Sequence, residues 1–203
     1  ETLADAEALA ELRPELESRS VPFATVQTLQ PWFIATSLLM APCETERLKN
    51  GAKVLDIALG ERAKASAKAV LGLEKATEQL EALASMPLDL QMDNLVATLE
   101  IADEMPMLFE TMTELYLAGQ IALIEPATAA LSPMGTEDAK SIEITQRFDE
   151  AVIHRRNAVM SERLQPLLPQ GGLFVAVGAL HLPGETGVVE SLRRSGWNVT
   201  RAD

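Results

Sequence analysis

GGLFVAVGALHLPGETGVVESLRRSGWNVTR, residues 171–201, holds a strand signal, a histidine-bearing loop and a helix in one short stretch. The paired glycines Gly171 and Gly172 mark a turn. Residues 173–177 are a continuous apolar run rich in β-branched and aromatic side chains, which predicts a buried strand. The run stops at Gly178, and three residues later comes His181, one of two histidines in the chain. Leu182-Pro183-Gly184 predicts a turn. Glu185, Thr186 and Gly187 lead into a helix with Val188, Val189 and Leu192 on its apolar side. Arg193 and Arg194, then Gly196, are the basic last turn and C-cap glycine of a helix end. Residues 197–200 predict a second strand. A histidine just past the C-terminal end of a buried strand stands where open α/β sheets keep their sites. The plainer alternative is a loop histidine bonded to a backbone carbonyl.

Outward from this stretch, most of the chain predicts helix. Residues 3–17 place Leu3, Ala6, Leu9, Ala10 and Leu12 at helical spacing, with Pro14 as an early end or kink. Pro31 suits the first turn of a helix over 32–40, and Pro42 follows its end. Asn50-Gly51 predicts a turn. Residues 54–66 predict a helix with Val54, Ile57, Ala58 and Ala65 inward, 68–73 a short strand, and 75–86 a helix. The tract 89–119 carries two apolar stripes, one on Met92, Leu95, Val96 and Leu99, the other on Met105, Leu108, Phe109, Met112, Leu115 and Tyr116. Residues 103–106 separate them, so two helices or one kinked helix is expected. A methionine-rich stripe can serve as an adaptable binding surface, but core packing is its commoner use. Ser132-Pro133-Met134-Gly135 predicts a loop before the helix that bears Arg156 and Asn157. The expected fold class is α/β: helix-rich, with a small, mostly parallel sheet and helices packed around it.

Composition bounds the function. A length of 203 residues predicts one domain over 1–203 with a substantial core. A hydrophobic share of 47% with 23% charged residues is that of a globular protein and argues against disorder. The net charge is −13, spread as 16 acidic and 9 basic residues in 1–100 and 14 and 8 in 101–203. Such a surface repels phosphate backbones, so no nucleic-acid partner is expected. The lone Cys43 excludes an intrachain disulfide. No apolar run is long enough to span a membrane; the longest, 32–41, is interrupted by Thr36 and Ser37. H-E-x-x-H, C-x-x-C, Walker A and G-x-S-x-G patterns are all missing.

Some residues still carry chemistry. Glu74 ends the expected strand 69–73, and His181 lies just past 173–177. If those strands are parallel neighbours, both side chains emerge at one edge of the sheet. There a carboxylate and an imidazole can bind a divalent metal or act as general acid and base. Alternatively, Glu74 is a helix N-terminal carboxylate favoured by the dipole. Arg156 borders the apolar face formed by Phe148, Val152 and Val159. Its fork can clamp a substrate carbonyl, or it can pair with Glu74 and only fix the fold. Gln79 can support Glu74 by hydrogen bonding, or it is a solvated helix residue. His154 reads as a surface or boundary histidine.

Several segments, in order, resemble the TraB/GumN family, which includes the Tiki proteins. VGALHLPGETGVVESLRRSGWNV, residues 177–199, is similar to the family's last motif: a strand, G-x-x-H-L-x-G, a helix, then G-[YFW]-x-V. AVLGLEKATEQL, 69–80, resembles its strand and GLE-x-x-x-x-Q segment. LYLAGQIAL, 115–123, resembles Y-x-x-G-[DN], with Gln120 at the acidic or amide position. HRRNAVMSERL, 154–164, resembles the R-N-x-x-[MW] helix, and QPWFIATSLL, 30–39, the Pro-Trp segment.

The resemblance implies a metal-dependent hydrolase of the peptidase kind. In it a divalent ion (Mn, Co or Zn) activates water and polarises the scissile carbonyl. Residue by residue, it makes His181 a metal ligand, Glu74 a ligand or general base, and Arg156 and Asn157 contacts to substrate or transition state. Gly178, Gln79 and Gly72 support them. An extracytoplasmic location, periplasmic or membrane-anchored, is implied as well. The family carries two G-x-x-H motifs, and this chain has only the one at 178–181. The expectation is an N-terminally truncated fragment whose first strand and first histidine lie upstream, or a member that has lost half its site. In the latter case the alternative function is a non-catalytic module that binds a peptide or small ligand. With one histidine and one carboxylate, residues 1–203 are expected to bind a divalent metal weakly or not at all.

Overall fold

A computed structural model describes residues 6–18, 21–131 and 139–202, and it is built of helices. In order they are α1 (Ala6–Ser18), α2 (Phe23–Val26), α3 (Pro31–Leu38), α4 (Pro42–Lys49), α5 (Leu55–Ala65) and α6 (Ala76–Ala84). There follow α7 (Leu88–Glu100), α8 (Met105–Leu117), α9 (Ile124–Leu131), α10 (Ala139–Asp149), α11 (Arg155–Leu164) and α12 (Val188–Arg194). A π-helical turn, Glu150–His154, joins α10 to α11. The expected start at Leu3 and the loop at Ser132-Pro133-Met134-Gly135 lie outside the described residues.

Prolines place several helix starts. Pro31 and Pro42 each sit in the first turn of a helix, where a missing N–H costs nothing. Pro42 therefore opens α4 rather than merely following α3. Pro106 sits in the first turn of α8, and a 3₁₀ turn, Ala102–Glu104, separates α8 from α7. The two stripes of 89–119 thus lie on two helices. Pro14 lies inside α1 without ending it.

Two apolar clusters hold the chain. In the first, Leu12 and Leu16 of α1, Val26 of α2, Ile34, Ala35 and Leu38 of α3, and Leu95 and Leu99 of α7 pack together. A buried amide ties the α3–α7 contact. Gln91 accepts from the Trp32 backbone N–H through Oε1 at 3.4 Å and donates through Nε2 to the Met86 carbonyl at 2.8 Å. In the second cluster Met160 and Leu164 of α11 meet Val188 of α12, with Leu73, Leu168, Val177 and Leu192 against them. The tryptophans divide between these regions. Trp32 is on α3, and Trp197 donates through Nε1 to Gln165 Oε1, just past α11, at 3.4 Å.

Among the described residues there is no strand, which corrects the expected α/β class and its parallel sheet. The three runs read as strands, 68–73, 173–177 and 197–200, are irregular and unladdered. Their composition favours extended backbone, but a strand exists only when a second backbone comes alongside, about 4.8 Å away and in register. A further correction concerns α5. Its side Val54, Ile57, Ala58 and Ala65 was expected inward, yet α5 buries no residue and Val54 and Ile57 are exposed.

Candidate functional site

The second cluster carries the site. The π turn and α11 present Arg156 and Asn157, the bend 73–74 presents Glu74 ahead of α6, and a 3₁₀ turn, Ala179–His181, presents His181. Glu74, Gln79, Arg156, Gly72, Gly178 and His181 line one cavity of about 450 Å³.

Arg156 grips Glu74 with two parallel bonds: Nε donates to Oε1 at 2.9 Å and Nη2 to Oε2 at 2.9 Å. Its Nη1 donates to the Val152 carbonyl, one turn back, at 3.1 Å. Glu74 is only 6% exposed at its side chain and Arg156 21%. Gln79 Nε2 adds a long contact to Glu74 Oε2 at 3.4 Å. The hydrogen bonds from Arg156 hold the Glu74 carboxyl below its usual range, against the opposing effect of burial, with further help from the charges of Arg156 and His181. The structure thus joins Glu74 to Arg156, a pairing that the sequence left open, and hydrogen-bonds Gln79 to it.

His181 is 7% exposed. Its Nδ1 lies 2.8 Å from Asn157 Oδ1. An amide oxygen only accepts, so this contact puts the proton on Nδ1 and leaves Nε2 with its lone pair. Burial pushes the His181 pKa down, the Arg156 charge adds to this, and Glu74 opposes it. The ring is therefore neutral at pH 7. A Cβ at Gly178 would stand 3.4 Å from the ring's Cδ2, so that glycine lets the imidazole lie close against the chain. Gly72 holds its own bend tight; a Cβ there would meet the Glu74 carbonyl at 3.0 Å.

Asn157 was expected at the substrate, and here its side chain is a buried partner of His181. Asn157 Nδ2 and Ser161 Oγ, one turn apart on α11, are buried without a hydrogen-bond partner among the described residues. Two polar residues at i and i+4, flanked by Met160 and Leu164, were the sequence signal for this polar seam. Arg163 also went unread. It donates to Glu78 through Nη1 and Nη2 at 2.7 and 2.8 Å and to the Leu73 carbonyl at 2.7 Å. This fastens α6 and the 73–74 bend to α11. The Arg163 bonds lower the Glu78 pKa to about 2.

His154 stands apart. Its Nδ1 contacts Thr186 Oγ1 at 2.8 Å beside another cavity of about 330 Å³, lined also by Glu125 and Asp149. Burial and the Glu125 charge raise the Asp149 pKa. Among the described residues no group of three or more His, Cys, Asp and Glu side chains is arranged to hold a metal ion. Nor is any helix among them long and apolar enough to cross a membrane.

No curated protein and no solved structure shows significant similarity to the chain. The model of the TraB/PrgY/gumN family, by contrast, matches residues 1–201. With nearly its whole length covered, the chain belongs to the TraB/PrgY/gumN family.

Proposed function

We propose that this protein is a hydrolase of peptide bonds, with His181 as its central group. The observation that carries this reading is the buried, neutral imidazole. Asn157 anchors its Nδ1, among the described residues no protein group bonds Nε2, and His181 lines a cavity with Arg156 and Glu74. A neutral imidazole with a pinned tautomer is suited to take a proton from water. In the proposed reaction Nε2 accepts a proton as the water oxygen bonds to the amide carbon. The N–H groups of Arg156 not engaged by Glu74 and Val152 stabilise the oxyanion. The C–N bond then breaks, and the imidazolium returns its proton to the leaving amine. Glu74 holds the guanidinium flat, and Asn157 holds the ring.

The divalent ion implied by the family resemblance does not fit the described residues by themselves. His181 Nε2 is one suitable donor. Glu74 is held edge-on by Arg156 and would have to surrender two charge-assisted bonds to become a second. A resident zinc site needs three protein ligands.

The experiment is hydrolysis of a peptide library by the protein and by His181→Ala, each after chelation and again with added Mn²⁺, Co²⁺ or Zn²⁺. His181→Ala should lose at least about 100-fold in turnover, the usual worth of a positioned base. Turnover unchanged in His181→Ala overturns the assignment. Peptide binding without cleavage under every condition supports the non-catalytic reading.

A further inference from the structure

Both backbone neighbours of Glu74 are fastened by one ion pair. On the side before Glu74, Arg163 Nη1 donates to the Leu73 carbonyl at 2.7 Å. On the side after it, the Lys75 backbone N–H donates to Glu78 Oε2 at 2.8 Å. Arg163 and Glu78 then close on each other, Nη1 to Oε2 at 2.7 Å and Nη2 to Oε1 at 2.8 Å. The chain on either side of Glu74 is therefore pinned to α11 and to the first turn of α6.

Spacing in the sequence sets this up. Arg156 and Arg163 are seven residues apart on α11, two turns, so they share a face. Glu74 and Glu78 are four apart at the start of α6. All four side chains line one cavity of about 320 Å³. The two pairs differ in burial. Glu74 and Arg156 are largely enclosed, whereas the side chains of Glu78 and Arg163 are 33% and 40% exposed. An exposed pair adds little to stability, because solvent screens it and two long side chains lose freedom. A cap on α6 alone needs only Glu78 and the Lys75 N–H. The bond to the Leu73 carbonyl serves something else: it holds backbone that sets where the Glu74 carboxylate stands. That carboxylate in turn holds Arg156 by Nε and Nη2.

We propose that Arg163 and Glu78 are positioning residues of the site: through the Leu73 carbonyl and the Lys75 N–H they fix the Glu74 carboxylate, and through it the direction of the Arg156 guanidinium. The inference rests on the reading above, in which Arg156 acts beside His181. It adds two residues that touch neither the substrate nor the reacting atoms.

The test compares the protein with Arg163→Lys and Arg163→Met. Lys keeps the positive charge but not the planar fork. The Glu74 carboxyl is followed by carbon NMR titration, and the Arg156 Nε–H by its exchange with solvent. Both variants should raise the Glu74 pKa toward the ordinary carboxylate range and speed the Nε–H exchange at least about 10-fold. Helical circular dichroism should be unchanged, and the melting temperature should stay within about 4 °C of wild type. A Glu74 titration unmoved in both variants overturns the proposal, whatever happens to the melting temperature. So does one that moves in Arg163→Met alone, because charge rather than position is then what Arg163 supplies. Peptide hydrolysis separates this inference from the reading beneath it. Where the wild type cleaves, both variants should lower kcat at least about 10-fold at nearly unchanged KM, since a displaced guanidinium is missed in the transition state. Unchanged kcat overturns the proposal. No cleavage by the wild type, with Glu74 and Arg156 responding as stated, counts against the hydrolase reading alone.

Discussion

At His181 one hydrogen bond decides the chemistry. Asn157 Oδ1 can only accept, so it favours neither ring charge strongly, and burial keeps the imidazole neutral. Asn157→Asp places a carboxylate at the same distance. The His181 pKa should rise above its ordinary value, read by NMR titration of the imidazole; no upward movement would mean that the contact does not exist in solution. The stability consequence has a definite sign. In the wild type the folded pKa lies below the unfolded value of 6.5, so the unfolded chain binds more protons between the two. Stability therefore falls as pH drops from about 6.5 to the folded pKa. Glu74 and Glu78, both with lowered pKa values, add a second loss on the acid side, below about 4.5, as their pairs with Arg156 and Arg163 are protonated away. Asn157→Asp should reverse the first loss and leave the second, as measured by urea melts across pH. Of these residues, the sequence showed the identities and spacing of Glu74, Arg156, Asn157 and His181. It could not show which of them bond to each other, because that depends on how α11 is rotated against the 73–74 bend.

Among the elements, helix starts were the most legible features, since Pro31 and Pro106 act through local sterics that no tertiary contact alters. The strands were not legible. An apolar run such as 173–177 states that it wants cover on two faces, but the covering element lies elsewhere in space. The inward face assigned to α5 failed for the same reason: Ile57 sits at helical spacing, yet nothing packs over it. The approach to α12 shows a stricter local rule. A Cβ at Gly187 would run into the carbonyls of Leu182 and Pro183, which are backbone atoms and cannot swing away. Gly187→Ala should therefore cost about 2 kcal/mol or more, as backbone strain next to a packed helix does. Thermal melts check it. A wild-type-like melting temperature would show that the 182–187 loop relaxes freely.

Over the whole molecule, the two apolar clusters share no residue, and only the second touches the site. Leu38→Ala opens a hole in the first cluster, where that side chain is 1% exposed, and should cost about 2–5 kcal/mol. The His181 titration should be unchanged in the folded fraction, because sites without shared partners add independently. A shifted imidazole titration would show that the two clusters are mechanically one. The helical tracts followed from period, whereas this division into two packed regions was written in no motif.

The placement of the two tryptophans gives this division an optical readout. Trp32 stands at the Gln91 junction of α3 and α7, and Trp197 stands beside α11 and α12. The chain contains only these two indoles. Each region thus carries its own fluorophore, and Trp32→Phe or Trp197→Phe leaves an emission spectrum that reports one region alone. Quenching of the Trp197 signal on addition of a ligand, with Trp32 silent, would follow events at the site in real time without any label.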